Sequence, residues 1–145
     1  MTVFRAFSNQ EVLDYLATQV TDGQVFTDEE TLKKYSFSPR LTDDDSGLAL
    51  AYVEAHTTKD IQGTLKTARK YHIAVIPQDQ TTSTVIGADG LTDSLILSTA
   101  KMNRIIEISK ADSIAVVEPG VVNGDLDKEA RKQGCLLYTS DAADD

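Results

Sequence analysis

"LALAYVEAHTTKDIQGTLKTARKYHIAVIP", residues 48–77, is the stretch whose reading decides the fold. Leu48 to Glu54 is a continuous apolar run suited to a buried strand. Thr57 and Asp60 place a hydroxyl three residues before an acid, the spacing that satisfies orphan amides at a helix start. Ile61, Leu65 and Ala68 recur at helical spacing until about Tyr71, and "HIAVIP" then gives a second strand, with His72 as a surface or capping residue between the two elements. Strand, helix and strand in so short a span make a βαβ unit, with parallel strands and a right-handed crossover.

Upstream, Ser8 with Glu11 and Thr27 with Glu30 repeat the capping spacing and predict two short helices. Val12, Leu13, Leu16 and Val20 share a face of the first, so it packs on something. Residues 36–47, "SFSPRLTDDDSG", combine Pro, Gly, Ser and an acidic triplet without periodicity and read as an exposed loop. Asp43 to Asp45 lack the alternating spacing of a calcium loop. Downstream, "SLILS", "RIIEIS" and "SIAVVE" are three short β-prone runs. Their close spacing leaves no room for crossover helices, so they are expected to pair antiparallel or meander in a mixed sheet. Asn123 is placed to cap a last helix carrying Leu126 and Ala130, and Gly134 to end it. The fold class is α+β.

A chain of 145 residues supports one compact unit with a real core. The apolar fraction is 41%, and no apolar stretch reaches the length of a membrane-spanning helix. "MTVFRAFSNQEV" lacks the basic and apolar regions of a secretory signal, and the lone Cys135 cannot form an intrachain disulfide, so a cytoplasmic location is expected. With 23 acids against 14 scattered bases, a net charge of −9 argues against nucleic acid as a partner.

Two places can carry chemistry. The polar stretch from Gln78 to Ala88 follows a buried strand, at the end where α/β folds bind ligands. The Thr81, Thr82 and Ser83 hydroxyls, with backbone amides, suit a pyrophosphate, which wants many donors and little charge. From pattern alone the stretch serves equally as a polar connection. "EPGV", residues 118–121, is the second place, since Pro fixes one dihedral, Gly frees the next, and a flat ligand can approach the backbone closely. It reads also as a turn before a helix. His56 and His72 stand apart from each other and from Cys135, giving no metal-ligand spacing, and no Ser-His-Asp arrangement or glycine-flanked nucleophile occurs.

"LSTAKMNRIIEIS" followed by "AVVEPGV", within residues 95–134, resembles the PCMH-type FAD-binding domain of the vanillyl-alcohol oxidase superfamily. The branch it resembles includes glycolate oxidase flavoprotein subunits and flavin-dependent D-lactate dehydrogenases. "TTKDIQGTLKTARKYHIAVIP" is similar to the helix and strand leading into that family's flavin loop, so the resemblance covers residues 28–134. It implies that "PQDQTTSTVIGA" stands where the family has a Pro-Arg-Gly-x-Gly-Thr loop ending in Gly-Gly-Ala, which wraps the FAD pyrophosphate. Pro77, Thr82, Gly87 and Ala88 keep the pattern, whereas Gln78 replaces Arg, and Asp79, Thr81 and Ile86 replace glycines. A threonine at a glycine position of positive φ costs about 1–2 kcal/mol, so the loop path differs or hydroxyls replace close backbone contacts.

The resemblance implies Gln78, Asp79, Gln80, Thr81, Thr82, Ser83, Gly87, Ala88, Pro119 and Gly120 as cofactor-binding residues. With no His in the loop and the lone Cys elsewhere, the implied FAD attachment is noncovalent. The implied reaction is hydride transfer to flavin from a small 2-hydroxy acid such as lactate or glycolate, by groups in later parts of the family's chain. The expected organisation is a helical lead-in over residues 1–47, the first part of an FAD-binding domain over 48–134, and a tail. The tail, "CLLYTSDAADD", resembles the translation of a sequencing-adapter end joined to a partial gene, and such a fragment is expected to be inactive alone. Two other readings stand beside this one: a small acidic α/β binding module without activity, and a flavin oxidoreductase acting on another alcohol.

Overall fold

The computed structural model describes residues 7–36, 47–79 and 89–137. Helix α1 (Asn9–Gln19) opens on the expected reciprocal cap, in which Ser8 Oγ accepts the Glu11 N–H at 3.2 Å and the Glu11 carboxylate accepts the Ser8 N–H at 2.7 Å. Helix α2 (Glu29–Ser36) begins differently from expectation: Asp28, not Thr27, accepts the Thr31 N–H at 2.8 Å. A carboxylate at an N-cap outranks a threonine hydroxyl, and its charge suits the positive end of the helix. Between the two helices lies a strand without a clear sequence cue, β1 (Gln24–Phe26).

Strand β2 (Ala51–Glu54), helix α3 (Thr58–Tyr71) and strand β3 (Val75–Gln78) form the βαβ unit. His72 takes a left-handed conformation (φ 51°, ψ 47°) and its N–H donates to Ala68 O, which closes α3 as a capping residue should. Strand β4 (Leu95–Ser98) corrects the expectation of antiparallel pairing after the loop. It inserts between β2 and β3, parallel to both, in a mixed sheet of order β1-β2-β4-β3 with β1 antiparallel at the edge. The connection from Asp79 to Ser94 explains the difference, because it has the dozen or more residues that a return to the start of a parallel strand needs.

One face of this sheet holds a buried cluster of Leu32, Ala49, Tyr52 and Ile96, with Phe26, Tyr35, Leu48 and Ile76 packed on it. Tyr35 stacks on Tyr52 with ring centroids 4.1 Å apart. Helix α3 packs against β4, and α1 against α3. Of the expected row Ile61, Leu65 and Ala68, Ala68 is buried and Leu65 exposed, and the rest of the buried side of α3 is polar or small: Asp60, Gly63, Thr64 and Thr67. Thr64 and Thr67 donate their hydroxyls to Asp60 O and Gly63 O at 2.8 and 2.9 Å, so burial leaves neither donor unpaired. A Cβ at Gly63 would stand 2.4 Å from Gln19 O, so the small face is what lets α1 approach.

Asp60 fastens this layer. Its Oδ1 accepts the N–H groups of Thr21 and Asp22 at 3.2 and 3.1 Å, and its Oδ2 accepts those of His56 and Thr57 at 3.1 and 3.0 Å. Burial pushes this carboxyl up, but the backbone N–H donors of Asp22, Gly23, His56 and Thr57 outweigh it and hold the group below the usual aspartate range.

In place of the single unit expected from length, the chain divides into two, Met1–Lys101 and Met102–Asp145. In the second, β5 (Ile105–Ser109) and β6 (Ile114–Val117) pair antiparallel with an irregularity between Ile105 and Glu107, and α4 (Asn123–Lys132) follows. The cap of α4 is Val122 rather than Asn123, because Val122 O already accepts the Asp125 and Leu126 N–H groups at 2.9 and 3.1 Å. Gly134, at φ 72°, ends the helix as expected: its N–H bonds Arg131 O and the Cys135 N–H bonds Ala130 O, both at 3.0 Å. Among the described residues, no helix is long and apolar enough to cross a membrane.

Candidate functional site

In the first unit, Glu54, Gln78 and Ser98 stand side by side in register, closing β2, β3 and β4 at their C-terminal ends. This is the edge of a parallel sheet at which ligands bind. The backbone continues the ladder one step beyond it, with Thr99 N–H donating to Gln78 O at 3.0 Å and Ala55 N–H to Ser98 O at 2.9 Å. Tyr52, whose side chain shares the Glu54 and Ser98 face, has its phenol pushed up to about 12, first by burial and then by the neighbouring Tyr35 and Glu54, against the Ser98 hydrogen bond.

The connection that leaves this edge is anchored at both ends on successive residues of α2. At its entry Gln78, only 6% exposed, donates its amide Nε2 to Tyr35 O at 2.7 Å. At its exit the Gly90 N–H donates to Ser36 O at 2.8 Å, while Gly90 O accepts the Gly47 N–H at 3.0 Å. The fully buried Ser36 also accepts the Ala49 N–H on its hydroxyl at 3.1 Å. A Cβ on Gly90 would lie 2.7 Å from the Ser36 side chain, so only glycine fits there. Asp79 is exposed beside Gln78, whereas Gln80, Thr81, Thr82, Ser83, Gly87 and Ala88 lie outside the described residues, as do Asp43 to Asp45.

In the second unit the expected turn is present. Val121 N–H donates to Glu118 O at 3.2 Å and Gly120 N–H to Met102 O at 2.8 Å, leaving Pro119 exposed and Gly120 buried. Arg104 and Glu118 extend the β5–β6 ladder toward this turn. Glu118 N–H donates to Arg104 O at 2.9 Å, and the Arg104 N–H donates to Glu118 Oε2 at 2.9 Å. The Arg104 Nε and Nη2 both donate to Oε1, at 2.9 and 2.6 Å. The guanidinium beside Glu118 holds its carboxyl below the usual glutamate range. His56 meets Glu54 at 3.3 Å, and among the described residues no cluster of three His, Cys, Asp or Glu could hold a metal ion.

Sequence reasoning missed the residues that hold both places. Tyr35 and Ser36 act through main-chain carbonyls, which every residue has, so no side-chain signal could reveal them. Arg104 and Glu118 did carry one: opposite charges at the outer ends of two β-prone runs joined by a short turn.

A family model described as "FAD binding domain" matches residues 49–144, a range that runs into the tail set aside above. The D-2-hydroxyglutarate dehydrogenase of Stutzerimonas stutzeri (strain A1501) is 29% identical over 138 residues, 91% of this chain and 28% of that protein. The D-lactate dehydrogenase of Anaerostipes hadrus is 34% identical over 89 residues, 61% of this chain and 18% of its own length. Among solved structures, 4-ethylphenol oxidase from Gulosibacter chungangensis superposes with a TM-score of 0.77 at 27% identity, over 87% of this chain and 25% of that one. The chain thus spans between a fifth and a third of the first of these relatives and less of the second, about 28% and 18%.

Proposed function

The chain belongs to the FAD binding domain family, and from that membership we propose that it is the amino-terminal part of a longer FAD-dependent oxidoreductase acting on a 2-hydroxy acid. The observation that carries the reading is the anchored connection between Gln78 and Gly90, which starts from the C-terminal edge of a parallel sheet and carries Thr81, Thr82 and Ser83 in its sequence. Such an edge fits a pyrophosphate, which is bound best by many neutral donors held in place. Gln78, Asp79, Gln80, Thr81, Thr82, Ser83, Gly87 and Ala88 of the first unit, and Pro119 and Gly120 of the second, are the proposed noncovalent FAD contacts.

When bound, FAD supplies the hydride acceptor. The chain's own residues bind and orient. Gln78 and Gly90 hold the two ends of the connection to α2, and the Glu118–Val121 turn offers a close backbone approach at Gly120. The substrate class rests on the two relatives, whose names share one chemistry, a hydroxyl on the carbon next to a carboxylate. A different alcohol remains the competing substrate for the parent protein. The fragment alone is proposed to be inactive and to bind FAD weakly, since a small part of the relatives' length buries a small part of a large ligand. The tail from Cys135 is proposed to be foreign to the gene, and an uninterrupted genomic reading frame through these codons would end that idea.

The functional test uses the parent protein. Substituting Thr81 and Thr82 together with alanine is expected to lower retained flavin and weaken FAD binding by about tenfold, the equivalent of about one lost charge-assisted hydrogen bond. Unchanged flavin retention would give the loop a purely structural role.

A further inference from the structure

The Arg104–Glu118 pair has an arrangement that a surface ion pair does not need. The Arg104 side chain is 79% exposed, yet the Glu118 side chain it meets is only 9% exposed. Both carboxylate oxygens are engaged: Oε1 takes the Nε and Nη2 donors, and Oε2 takes a backbone N–H. A carboxylate used in this way locks two strands of backbone to each other in addition to pairing charge. The backbone it locks is that of Glu118, the residue before Pro119, and that of Arg104, two residues after Met102, whose carbonyl receives the Gly120 N–H. Proline has no N–H of its own with which to fix the turn.

We propose that Arg104 and Glu118 are positioning residues for the cofactor contact at Pro119 and Gly120, holding the turn in its binding shape before the cofactor arrives. The inference rests on the flavin reading above. A turn fixed beforehand spares the ordering cost at binding.

The experiment uses the parent protein stripped of flavin, with FAD affinity measured by titration, apoprotein unfolding temperature, and turnover per bound flavin. The wild type comes first, because failure of the wild-type apoprotein to take up FAD refutes the flavin reading itself and this inference with it. Given wild-type binding, Glu118→Gln and Arg104→Gln are expected to weaken FAD about tenfold while unfolding within about 3 °C of wild type and keeping turnover per bound flavin. Arg104→Lys, which keeps the charge and loses the fork, is expected to recover part of the affinity. Should Glu118→Gln fail to fold, the Arg104 variants, altered at an exposed side chain, carry the test alone. FAD affinity within about twofold of wild type in the folded variants overturns the proposal, as does an affinity loss that follows apoprotein destabilisation without rescue by lysine.

Discussion

Strands β4 and β6 are both four-residue runs of apolar, β-prone sequence, "LILS" and "IAVV", yet all four residues of the first are buried and three of the second are exposed. Their composition cannot explain this. β4 has a parallel strand on each side, α3 packed against it, and its Ile96 buried in the cluster with Leu32, Ala49 and Tyr52. β6 pairs with β5 alone among the described residues, and Ile106, Ile114 and Val116 of this hairpin remain exposed. Burial is a property of neighbours, and the two proposed ligand contacts inherit the difference. The connection after β3 starts from a buried sheet edge. The turn after β6 depends on a salt-bridged pair.

The largest expected effect breaks that comparison most easily. Leu95→Ala, at a fully buried side chain in β4, is expected to lower stability by about 2–5 kcal/mol, whereas Val116→Ala in β6 should change it by less than about 1 kcal/mol. Denaturant midpoints of the two variants measure both, and equal losses would mean that the hairpin is as buried as the sheet. Asp60→Asn is expected next, at about 3 kcal/mol, because the neutral amide accepts the converging N–H groups less well and brings a donor into their midst. Its pH dependence has a definite sign. The folded carboxyl lies below its ordinary value, so its stabilisation is complete above the unfolded value near 3.8 and is lost as pH falls through the lower, folded one. Acid titration of wild type should therefore show a loss of stability that the Asn variant lacks.

Gly90→Ala tests the exit anchor. With its new Cβ 2.7 Å from Ser36, it is expected to cost about 1–3 kcal/mol, and calorimetry that shows no change would place slack where the structure shows none. The smallest effect is spectroscopic. One of the five tyrosines, Tyr52, is expected to ionise near 12 in an ultraviolet titration. Since its folded value exceeds the unfolded one near 10, the protein should lose stability as pH rises above about 10. Replacement by Phe should remove that late transition.

Local signals were legible in the sequence, and nonlocal ones were not. Ser8 with Glu11, Thr57 with Asp60, His72 and Gly134 bracket helices through chemistry within a few residues of themselves, and each stands where its spacing placed it. The position of β4 depends on which strands come to lie beside it, and nothing in "SLILS" specifies that. The buried face of α3 misled for a physical reason: Thr64 and Thr67 look polar, but each satisfies its own hydroxyl on the helix and becomes compatible with burial. The site divides in the same manner. Gln78 and the Glu118–Val121 turn were readable from composition and from resemblance, while Tyr35 and Ser36 came from three-dimensional proximity alone, and the Arg104–Glu118 pair left only the faint signal of opposite charges at the ends of two β-prone runs.

The most direct measurement takes the parent protein from its uninterrupted gene, purifies it without added cofactor, and identifies any chromophore released on denaturation. The account predicts a yellow protein that releases FAD, close to one per chain and without proteolysis. A folded, colourless protein that takes up no added FAD would contradict it.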